Sequence, residues 1–550
     1  MSNEQAETPF SMKNLFLVGL LGLGLLWLAQ PPGRLWPLAF VALVPWLHLV
    51  VSPNAITRRG YGVLWIASTL YWLITLQGLR HAHPAMYLCW IALSGYLAVY
   101  HLMFLCLVRR TFRRGWALVF TVPIIWVAQE CLRNYLLTGI SAVMLGHSMA
   151  DTPILIQIAD VFGTYGVSFV IALVNVAAFQ LWRYMHGQAT LREGLVPWLA
   201  ATIALLLTAG YGWMRLREPV EAGTTTFALL QRDEEVVYGQ SIEREVEMFR
   251  NYARQAADSV AESGAVVDAV VWPESMFTGG NPWVISNAET VIPPDANITR
   301  AEFDEWAESR RQGLLQNARY VQLAIAASNN TRSPHLLAGC GIVEYLDEQN
   351  VYSGVVNIGP DHSLQGWYGK THLVMFGEYI PIAPHIPGLK SLIPPGLGLK
   401  VGPGPKSFQV GDSSVAANIC IETAVERVTV NQLADLRQAS QLPDAIVTVT
   451  NDGWFDHSSV IDHHLRCAQL VAVGIRRPIL SAANNGPTAW IDSCGQLVER
   501  LPTGQNGAVI AAPSKDERVS LYLTLGDWPA RVCVLLCGFA FLPRRSKNDS

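Results

Sequence analysis

Long apolar segments in the N-terminal part most constrain what this chain can fold into. Segments without a charged side chain that are close to the ~20 residues needed to cross a ~30 Å hydrocarbon layer occur at 14–30, 61–79, 85–108, 165–182 and 195–213. Shorter or interrupted apolar segments lie at 36–51, 115–131 and 528–543. A cleaved signal peptide is the alternative for 14–30 alone. The sequence predicts a polytopic α-helical membrane bundle of about eight spans.

Charge in the connecting loops predicts the orientation of this bundle, because Lys and Arg in short loops stay on the cytoplasmic side. With the N-terminus inside, the cytoplasmic loops hold Lys13, Arg58, Arg59, Arg109, Arg110, Arg113, Arg114, Arg183 and Arg192, and the opposite loops hold only Arg34, Arg80 and Arg133. Seven spans then place the following polar region outside. The predicted domains are a membrane domain at 1–213, an extracytoplasmic domain at 214–526, and a last span with a basic cytoplasmic tail at 527–550.

Charge and cysteine usage exclude several classes of function. The net charge of -4 comes with no basic block suited to nucleic acid. None of the nine cysteines forms a Cys-x-x-Cys pair. His457, Asp462, His463 and His464 resemble a metal cluster, but adjacent histidines on a helix point about 100° apart and no matching ligand set is evident. We expect no metal and no cofactor, and leave open one or two disulfides on an oxidising face.

From about 224 the sequence alternates short β-rich runs with helical stretches, which is typical of a layered α/β domain. Helices are predicted at 240–262 and 301–320, and the stretch 281–312 is interpreted as a surface insertion. Strands are predicted at 224–230, 265–272, 336–345, 352–358, 414–421 and 444–450. A Pro- and Gly-rich connection is expected at 381–405.

Three polar residues follow apolar runs in this domain, where α/β enzymes place their chemistry. Glu274 follows a predicted strand, Cys420 follows another, and Lys370 opens a polar stretch between them. A carboxylate can take the proton of a thiol, and an ammonium favours the thiolate and binds the oxyanion of a tetrahedral intermediate. The three together predict acyl transfer through a thioester, with a Cys420 more reactive than a free thiol.

Each candidate residue also has a structural interpretation. Cys420 taken alone is more often a buried small hydrophobe. Glu274 could cap a helix, and Lys370 could be a solvated loop charge. Glu378 could be a surface acid or a second carboxylate that orients Lys370 or the thiol. The order and context of Glu274, Lys370 and Cys420 together favour catalysis.

The motifs around these residues resemble those of the nitrilase superfamily. They are Trp272-Pro273-Glu274, Tyr368-Gly369-Lys370, Ile419-Cys420-Ile421-Glu422 and Asn451-Asp452-Gly453-Trp454-Phe455. Together with the membrane spans and the segment 370–381, they are similar to its membrane-bound branch, the apolipoprotein N-acyltransferase family. The likeness extends from about 36 to 542. The chain departs from the family pattern at Ile421, where a Tyr is usual, and at Gln231-Arg232-Asp233, where Gln-Gly-Asn is usual.

The resemblance implies an α-β-β-α sandwich joined to the membrane bundle, in the bacterial inner membrane with the catalytic domain outside. It implies that Glu274 is the general base, Cys420 the nucleophile and Lys370 the group that stabilises the oxyanion, with Glu378 and Glu422 as accessory acids. The implied reaction moves an acyl chain from a phospholipid to the N-terminal amine of diacylglyceryl-cysteine on an apolipoprotein.

Two other functions stay open at this point. Water instead of an amine could resolve the thioester, which would make the protein a membrane-tethered amidase or hydrolase. A catalytically silent homologue could bind lipids or lipoproteins, although retention of all three candidate residues argues against it. The substrate-binding residues are unknown from the sequence.

Overall fold

The computed structural model describes residues 9–236, 241–277, 282–292, 297–328, 332–346, 349–380 and 398–541, without the side chains of 539–541. Two units divide the chain. The first comprises residues 1–218, 458–470 and 520–550, and the second comprises 219–457 and 471–519. The segment 458–470 thus belongs with the N-terminal helices although it lies far along the chain.

The described residues form α-helices and β-strands. The helices are α1 Met12–Ala29, α2 Val44–Val51, α3 Arg58–Thr75, α4 Met86–Arg113, α5 Leu118–Tyr135, α6 Pro153–Ile156, α7 Ala159–Met185, α8 Leu191–Arg217, α9 Ile242–Ser263, α10 Arg300–Ser328, α11 Ile421–Ala424, α12 Glu426–Gln438, α13 Ser459–Ile475, α14 Leu521–Leu525 and α15 Trp528–Phe541. The strands are β1 Phe227–Gln231, β2 Ala269–Trp272, β3 Trp283–Ile285, β4 His335–Tyr345, β5 Gln349–Ile358, β6 Leu364–Gly369, β7 Ser407–Val410, β8 Ser413–Ile419, β9 Ala445–Asn451, β10 Ile479–Asn484, β11 Ala489–Ile491, β12 Leu497–Arg500 and β13 Gly507–Ala511.

Four helices of the first unit, α1, α4, α7 and α8, are long and apolar enough to cross a membrane, as judged over the described residues. The predicted count of about eight spans is therefore not confirmed. The segment 36–51 divides into a 3₁₀ turn and the short α2. Helix α3 begins with two arginines, and α5 contains Glu130 and Arg133, which lowers the hydropathy of both helices. The last apolar helix, at Trp528–Gly538, is shorter than a span.

Helix α8 shows how the sequence fixes the ends of an apolar helix. Thr190 accepts a hydrogen bond from the Glu193 N–H, and the Glu193 carboxylate accepts one from the Thr190 N–H, which satisfies the first turn. Near its other end, Arg215 pairs with Asp160 of α7 at 2.8 Å. The two helices are thus joined by a charge pair as well as by apolar packing.

The second unit is built on two β-sheets. In the first sheet the strand order is β13-β1-β2-β4-β5-β6, with β3 beside β4. In the second sheet the order is β12-β11-β10-β9-β8-β7. Strands β1, β2 and β4 are parallel, as are β8, β9 and β10, and the outer strands run antiparallel. Parallel strands bring their carboxyl ends to one edge of each sheet, and the polar residues that follow them meet there.

Successive side chains along the strands point alternately into two separate hydrophobic cores. In β1, Phe227 and Leu229 join a buried cluster that contains β8 and β9 residues of the second sheet, whereas Ala228 and Leu230 join a cluster with α9 and α10. Asn418 of β8 donates to Thr429 of α12 on the outer side of the second sheet. The layers are therefore helix, sheet, sheet and helix, and the predicted nitrilase-like sandwich is confirmed.

The stretch 281–312 differs from the predicted surface insertion. Its segment β3 pairs in parallel with β4, and Val284 packs with Phe303, Ala307 and Val343 in a separate buried cluster. Only the apolar residues near the two ends of the stretch are buried against β4, whereas most of the described residues between them are exposed or half-buried. Most of the predicted connection at 381–405 lies outside the described residues.

Candidate active site

Glu274 stands at the carboxyl end of β2, in a turn that requires a glycine on the neighbouring strand. Ser275 has a positive φ of 63°, and the Phe277 N–H donates to the carbonyl of Gly339 in β4. A Cβ on Gly339 would lie 2.4 Å from the Pro273 carbonyl oxygen and 2.6 Å from the Glu274 Cα. The absence of a side chain at Gly339 lets the Glu274 backbone approach β4.

We expect Gly339→Ala to displace Glu274, because the added Cβ would clash with backbone atoms, and no side-chain rotation can relieve that clash. Catalytic turnover should fall about 100-fold, the cost typical of a 1 Å misplacement, while the protein stays folded. Steady-state kinetics of the two purified proteins measure the effect. Gly313→Ala in α10 is the matched control, since open space surrounds that position. Equal rates for Gly339→Ala and Gly313→Ala would show that the position of Glu274 does not depend on the close approach of its backbone to β4.

Lys370 is a buried ammonium held between two carboxylates. It follows β6, is 1% exposed, and lies 3.4 Å from Glu274 Oε1 and 2.5 Å from Glu378 Oε1. Burial alone would lower the pKa of Lys370, but the charges of Glu274 and Glu378 raise it well above its ordinary value. Lys370 is therefore a fixed positive charge, and the solvated-loop alternative is wrong. Glu378 is the carboxylate that orients it.

Glu274 keeps a raised pKa in spite of the neighbouring ammonium. Burial raises the pKa of Glu274, the Lys370 charge lowers it, and the Glu378 charge raises it again. Ser353 of β5 donates a hydrogen bond to Glu274 Oε1 at 3.1 Å, and its carbonyl accepts from the Lys370 N–H. Ser353 was missed by the sequence reasoning, since nothing in the Ser353-Gly354 context distinguishes it from an ordinary strand serine. A raised pKa suits a carboxylate that must accept a proton.

Cys420 stands at the end of β8 in a conformation that L-residues rarely adopt. Its φ is 51° and its ψ is -114°, and its N–H donates to the Val449 carbonyl of β9. Such backbone strain is typical of functional positions, because the surrounding structure must enforce it. The residue is half-buried and is followed directly by α11. A strained turn between strand and helix presents the sulfur at the edge of the sheet.

The charges of Glu274 and Lys370 reach the sulfur of Cys420. Burial raises the pKa of the Cys420 thiol to about 12; the Lys370 charge lowers it, and the charges of Glu274, Asp452 and Glu378 raise it. The Lys370 charge therefore lowers the pKa of the thiol, as the sequence predicted, but burial raises that pKa by more. This corrects the expectation that Cys420 is more reactive than a free thiol at rest. A thiol with a raised pKa needs a base at the moment of attack.

Glu422 joins the two sheets at this edge. Its Oε2 accepts from the Ile419 N–H at 2.7 Å. Its Oε1 accepts from Thr371 N–H and Oγ1, from the His372 N–H and from the Tyr368 hydroxyl, at 2.6, 2.7, 3.0 and 2.8 Å. Burial raises the pKa of Glu422, and the hydrogen bonds from Thr371 and Ile419 oppose this. Glu422 thus ties the segment after Lys370 to the strand that carries Cys420, and is a positioning residue.

Glu422→Gln should lower both stability and activity. All of its partners in that network donate, three of them from the backbone, so the amide nitrogen of glutamine must face a donor. A buried unmatched donor costs about 1–3 kcal/mol, which we expect as a fall of a few degrees in Tm, with a lower acylation rate at an unchanged pH profile. Glu499→Gln, at an exposed position of β12, is the control for both readouts. A variant as stable and active as this control would contradict the positioning role.

Other polar clusters in the described part of the chain offer no metal site. No group of three or more His, Cys, Asp or Glu side chains there is arranged to hold a metal ion. His463 is buried, and burial lowers its pKa to about 3. All nine cysteines are free thiols, so the disulfides left open by the sequence are not formed.

Known proteins match both halves of the chain. The N-terminal domain of apolipoprotein N-acyltransferase matches residues 23–177, and the carbon-nitrogen hydrolase domain matches residues 236–518. An apolipoprotein N-acyltransferase from Rhodopirellula baltica is 46% identical over 95% of this chain and 97% of its own length. Those from Geobacter metallireducens and Azotobacter vinelandii are both 29% identical, over 94% and 97% of this chain and 93% and 96% of their own lengths. These matches confirm the resemblance indicated by the motifs.

Proposed function

The chain belongs to the apolipoprotein N-acyltransferase family and is an acyltransferase of that type, and from this premise we propose its substrates and catalytic residues. The acyl donor is a membrane phospholipid. The acceptor is the α-amine of the diacylglyceryl-cysteine at the N-terminus of an apolipoprotein. Glu274 is the general base, Cys420 the nucleophile and Lys370 the oxyanion ligand.

In the first half-reaction the Cys420 sulfur attacks the ester carbonyl carbon of the phospholipid. Glu274 accepts the thiol proton as the carbon–sulfur bond forms, since the raised pKa of the thiol disfavours a separate thiolate. The Lys370 ammonium stabilises the negative oxygen of the tetrahedral intermediate. When the intermediate collapses, the ester carbon–oxygen bond breaks, and Glu274 returns the proton to the departing lysophospholipid. The product on the enzyme is a Cys420 thioester.

In the second half-reaction the acceptor amine attacks the thioester carbonyl carbon. Glu274 takes a proton from the attacking nitrogen and delivers it to the sulfur as the carbon–sulfur bond breaks. The products are an N-acylated apolipoprotein and the free Cys420 thiol. No external redox partner is required, since only acyl carbon–heteroatom bonds change.

One observation carries this proposal: the buried Lys370 lies between the Glu274 and Glu378 carboxylates, and its charge reaches Cys420. A structural ion pair would need one carboxylate, whereas this arrangement keeps a cation in place while one acid gains and loses a proton. A silent lipid-binding homologue would have no use for it. A hydrolase could use it, but the membrane-domain match at 23–177 favours a lipid substrate.

We place the protein in a bacterial inner membrane with residues 214–526 on the periplasmic face. The uneven distribution of Lys and Arg over the loops supports this orientation. Helices α3 and α5, together with the shorter apolar helices at Trp36–Val51 and Trp528–Gly538, complete with the four long ones a bundle of about eight spans. Both substrates then reach the enzyme from the bilayer.

The test supplies both substrates to the purified full-length protein. Phospholipid vesicles and a synthetic diacylglyceryl-cysteine peptide are incubated with it, and the products are identified by mass spectrometry. We expect a peptide heavier by one fatty acyl group and an equal amount of lysophospholipid. Free fatty acid without acylated peptide would indicate a hydrolase. Neither product from a folded protein with an accessible thiol would overturn the proposal in favour of a silent homologue.

A further inference from the structure

Glu274 receives hydrogen bonds on only one of its two carboxylate oxygens. Both donors, the Ser353 hydroxyl at 3.1 Å and the Lys370 ammonium at 3.4 Å, reach Oε1. No hydrogen bond from the described part of the chain reaches Oε2. The carboxylate is therefore held by one oxygen, while the lone pairs of the other oxygen are available for a proton.

Lys370 alone does not fix Glu274, because its ammonium is bound more closely to another carboxylate. It lies 2.5 Å from Glu378 Oε1 and 3.4 Å from Glu274 Oε1, which is beyond the usual range for an N–H···O hydrogen bond. Glu378 is fixed in turn, since its Oε2 accepts from the Val374 N–H at 2.8 Å. The shorter of the two hydrogen bonds to Glu274 therefore comes from Ser353.

Ser353 reaches Glu274 from the middle of β5. Side chains alternate along a strand, and Val355, two residues further on, belongs to the buried cluster shared by the two sheets, so Ser353 points to the same side. The residue directly opposite on β4 is Gly341, which has no side chain that could accept from the hydroxyl. Ser353 is 8% exposed. Among the described residues, the hydrogen-bond partner of this buried hydroxyl is Glu274.

We infer that Ser353 is a positioning residue of the general base: its hydroxyl holds Oε1 of Glu274 and leaves Oε2 to take the proton of Cys420. The hydrogen bond also favours the ionised carboxylate, which is the form that acts as a base. Burial raises the pKa of Glu274, and the charges of Lys370 and Glu378 lower and raise it, respectively. The Ser353 hydrogen bond lowers it. The inference rests on the proposed role of Glu274.

The pH dependence of Cys420 acylation tests this inference in the full-length protein. Single-turnover acylation from phosphatidylethanolamine vesicles is followed by mass spectrometry. Without the hydroxyl, Glu274 keeps its proton to higher pH. Ser353→Ala should therefore move the acidic limb of the profile to higher pH and lower the rate on that limb about tenfold, the factor typical of a hydrogen bond to a charged group. Ser353→Thr, which keeps the hydroxyl, should show the wild-type limb. An unmoved limb in Ser353→Ala, or a moved limb in folded Ser353→Thr, would overturn the inference.

A second background distinguishes this role from a general contribution to packing. If Ser353 acts through Glu274, Ser353→Ala should change the rate less than twofold in a protein that already carries Glu274→Gln. An equal fall in both backgrounds would overturn the inference.

Ser481→Ala, at a buried serine of β10, is the matched control and should leave the rate and the limb unchanged. If Glu274→Gln itself keeps the acidic limb, the proposed function fails. If Glu274→Gln loses the limb and Ser353→Ala leaves it unmoved, only the role of Ser353 fails.

Discussion

Cys420→Ala should abolish acyl transfer, by at least about 10⁴-fold in kcat, because the proposed mechanism has no route that bypasses the thioester. Intact-protein mass spectrometry after incubation with phospholipid vesicles should show a fatty acyl adduct on the wild-type protein and none on the variant. Addition of the diacylglyceryl-cysteine peptide should then remove the adduct. The variant should remain folded, since the side chain is half-buried and alanine fits the same space.

Cys494→Ala is the matched control, because Cys494 is also a cysteine of the second unit that forms no disulfide and lies in a turn outside the proposed site. It should keep both the adduct and the activity. An adduct that persists in Cys420→Ala would assign the acyl group to another residue. Loss of the adduct in both variants would indicate a folding defect and not chemistry.

Glu274→Gln should slow acylation of Cys420 by about 10²- to 10⁴-fold, the contribution typical of a positioned general base. The amide cannot accept the proton of a thiol whose pKa is about 12, so the thiolate becomes scarce. Lys370 keeps its pairing with Glu378, and the site should therefore retain its geometry. Single-turnover acylation followed by mass spectrometry measures the step directly.

We also expect the wild-type protein and Glu274→Gln to differ in the pH dependence of Cys420 acylation. Burial raises the pKa of Glu274 above its ordinary value, and only the deprotonated form is a base. The wild-type acylation rate should therefore fall as pH decreases through this raised pKa, and be maintained above it. Glu274→Gln should lack that acidic limb. A wild-type rate that stays flat down to the ordinary pKa of a glutamate would exclude Glu274 as the base.

The sequence predicted where the proposed catalytic residues lie, because each one follows a strand. In a parallel arrangement the ends of β2 and β8 lie at the edges of their sheets, so Glu274 and Cys420 could be found from the end of an apolar run. Glu378 could not be assigned from spacing, since a surface acid and an orienting acid look alike in Phe376-Gly377-Glu378. Only the burial of Lys370 distinguishes them.

Electrostatics and membrane insertion were harder to predict. The pKa of Cys420 depends on a balance between burial and several nearby charges, and a sequence gives the charges without the burial. Likewise Glu130 and Arg133 lie in a segment that reads as a span, yet these residues lower its hydropathy below that of the four long helices. Strand β3 was missed because it is only three residues long, Trp283–Ile285.

The interior between the two sheets contains small side chains beside larger ones, among them Ala269, Ala417, Ala445 and Ala482. Glu274 and Lys370 extend from one sheet and Cys420 from the other, so the backbones that carry the reacting groups are separated by the thickness of this interior, about 10 Å for packed sheets. The interior therefore acts as a spacer that sets the gap between base and nucleophile. Substitutions that enlarge these buried side chains would change the distance between base and nucleophile and so lower the rate. A related protein could therefore lose activity through changes at such alanines while it keeps every catalytic residue.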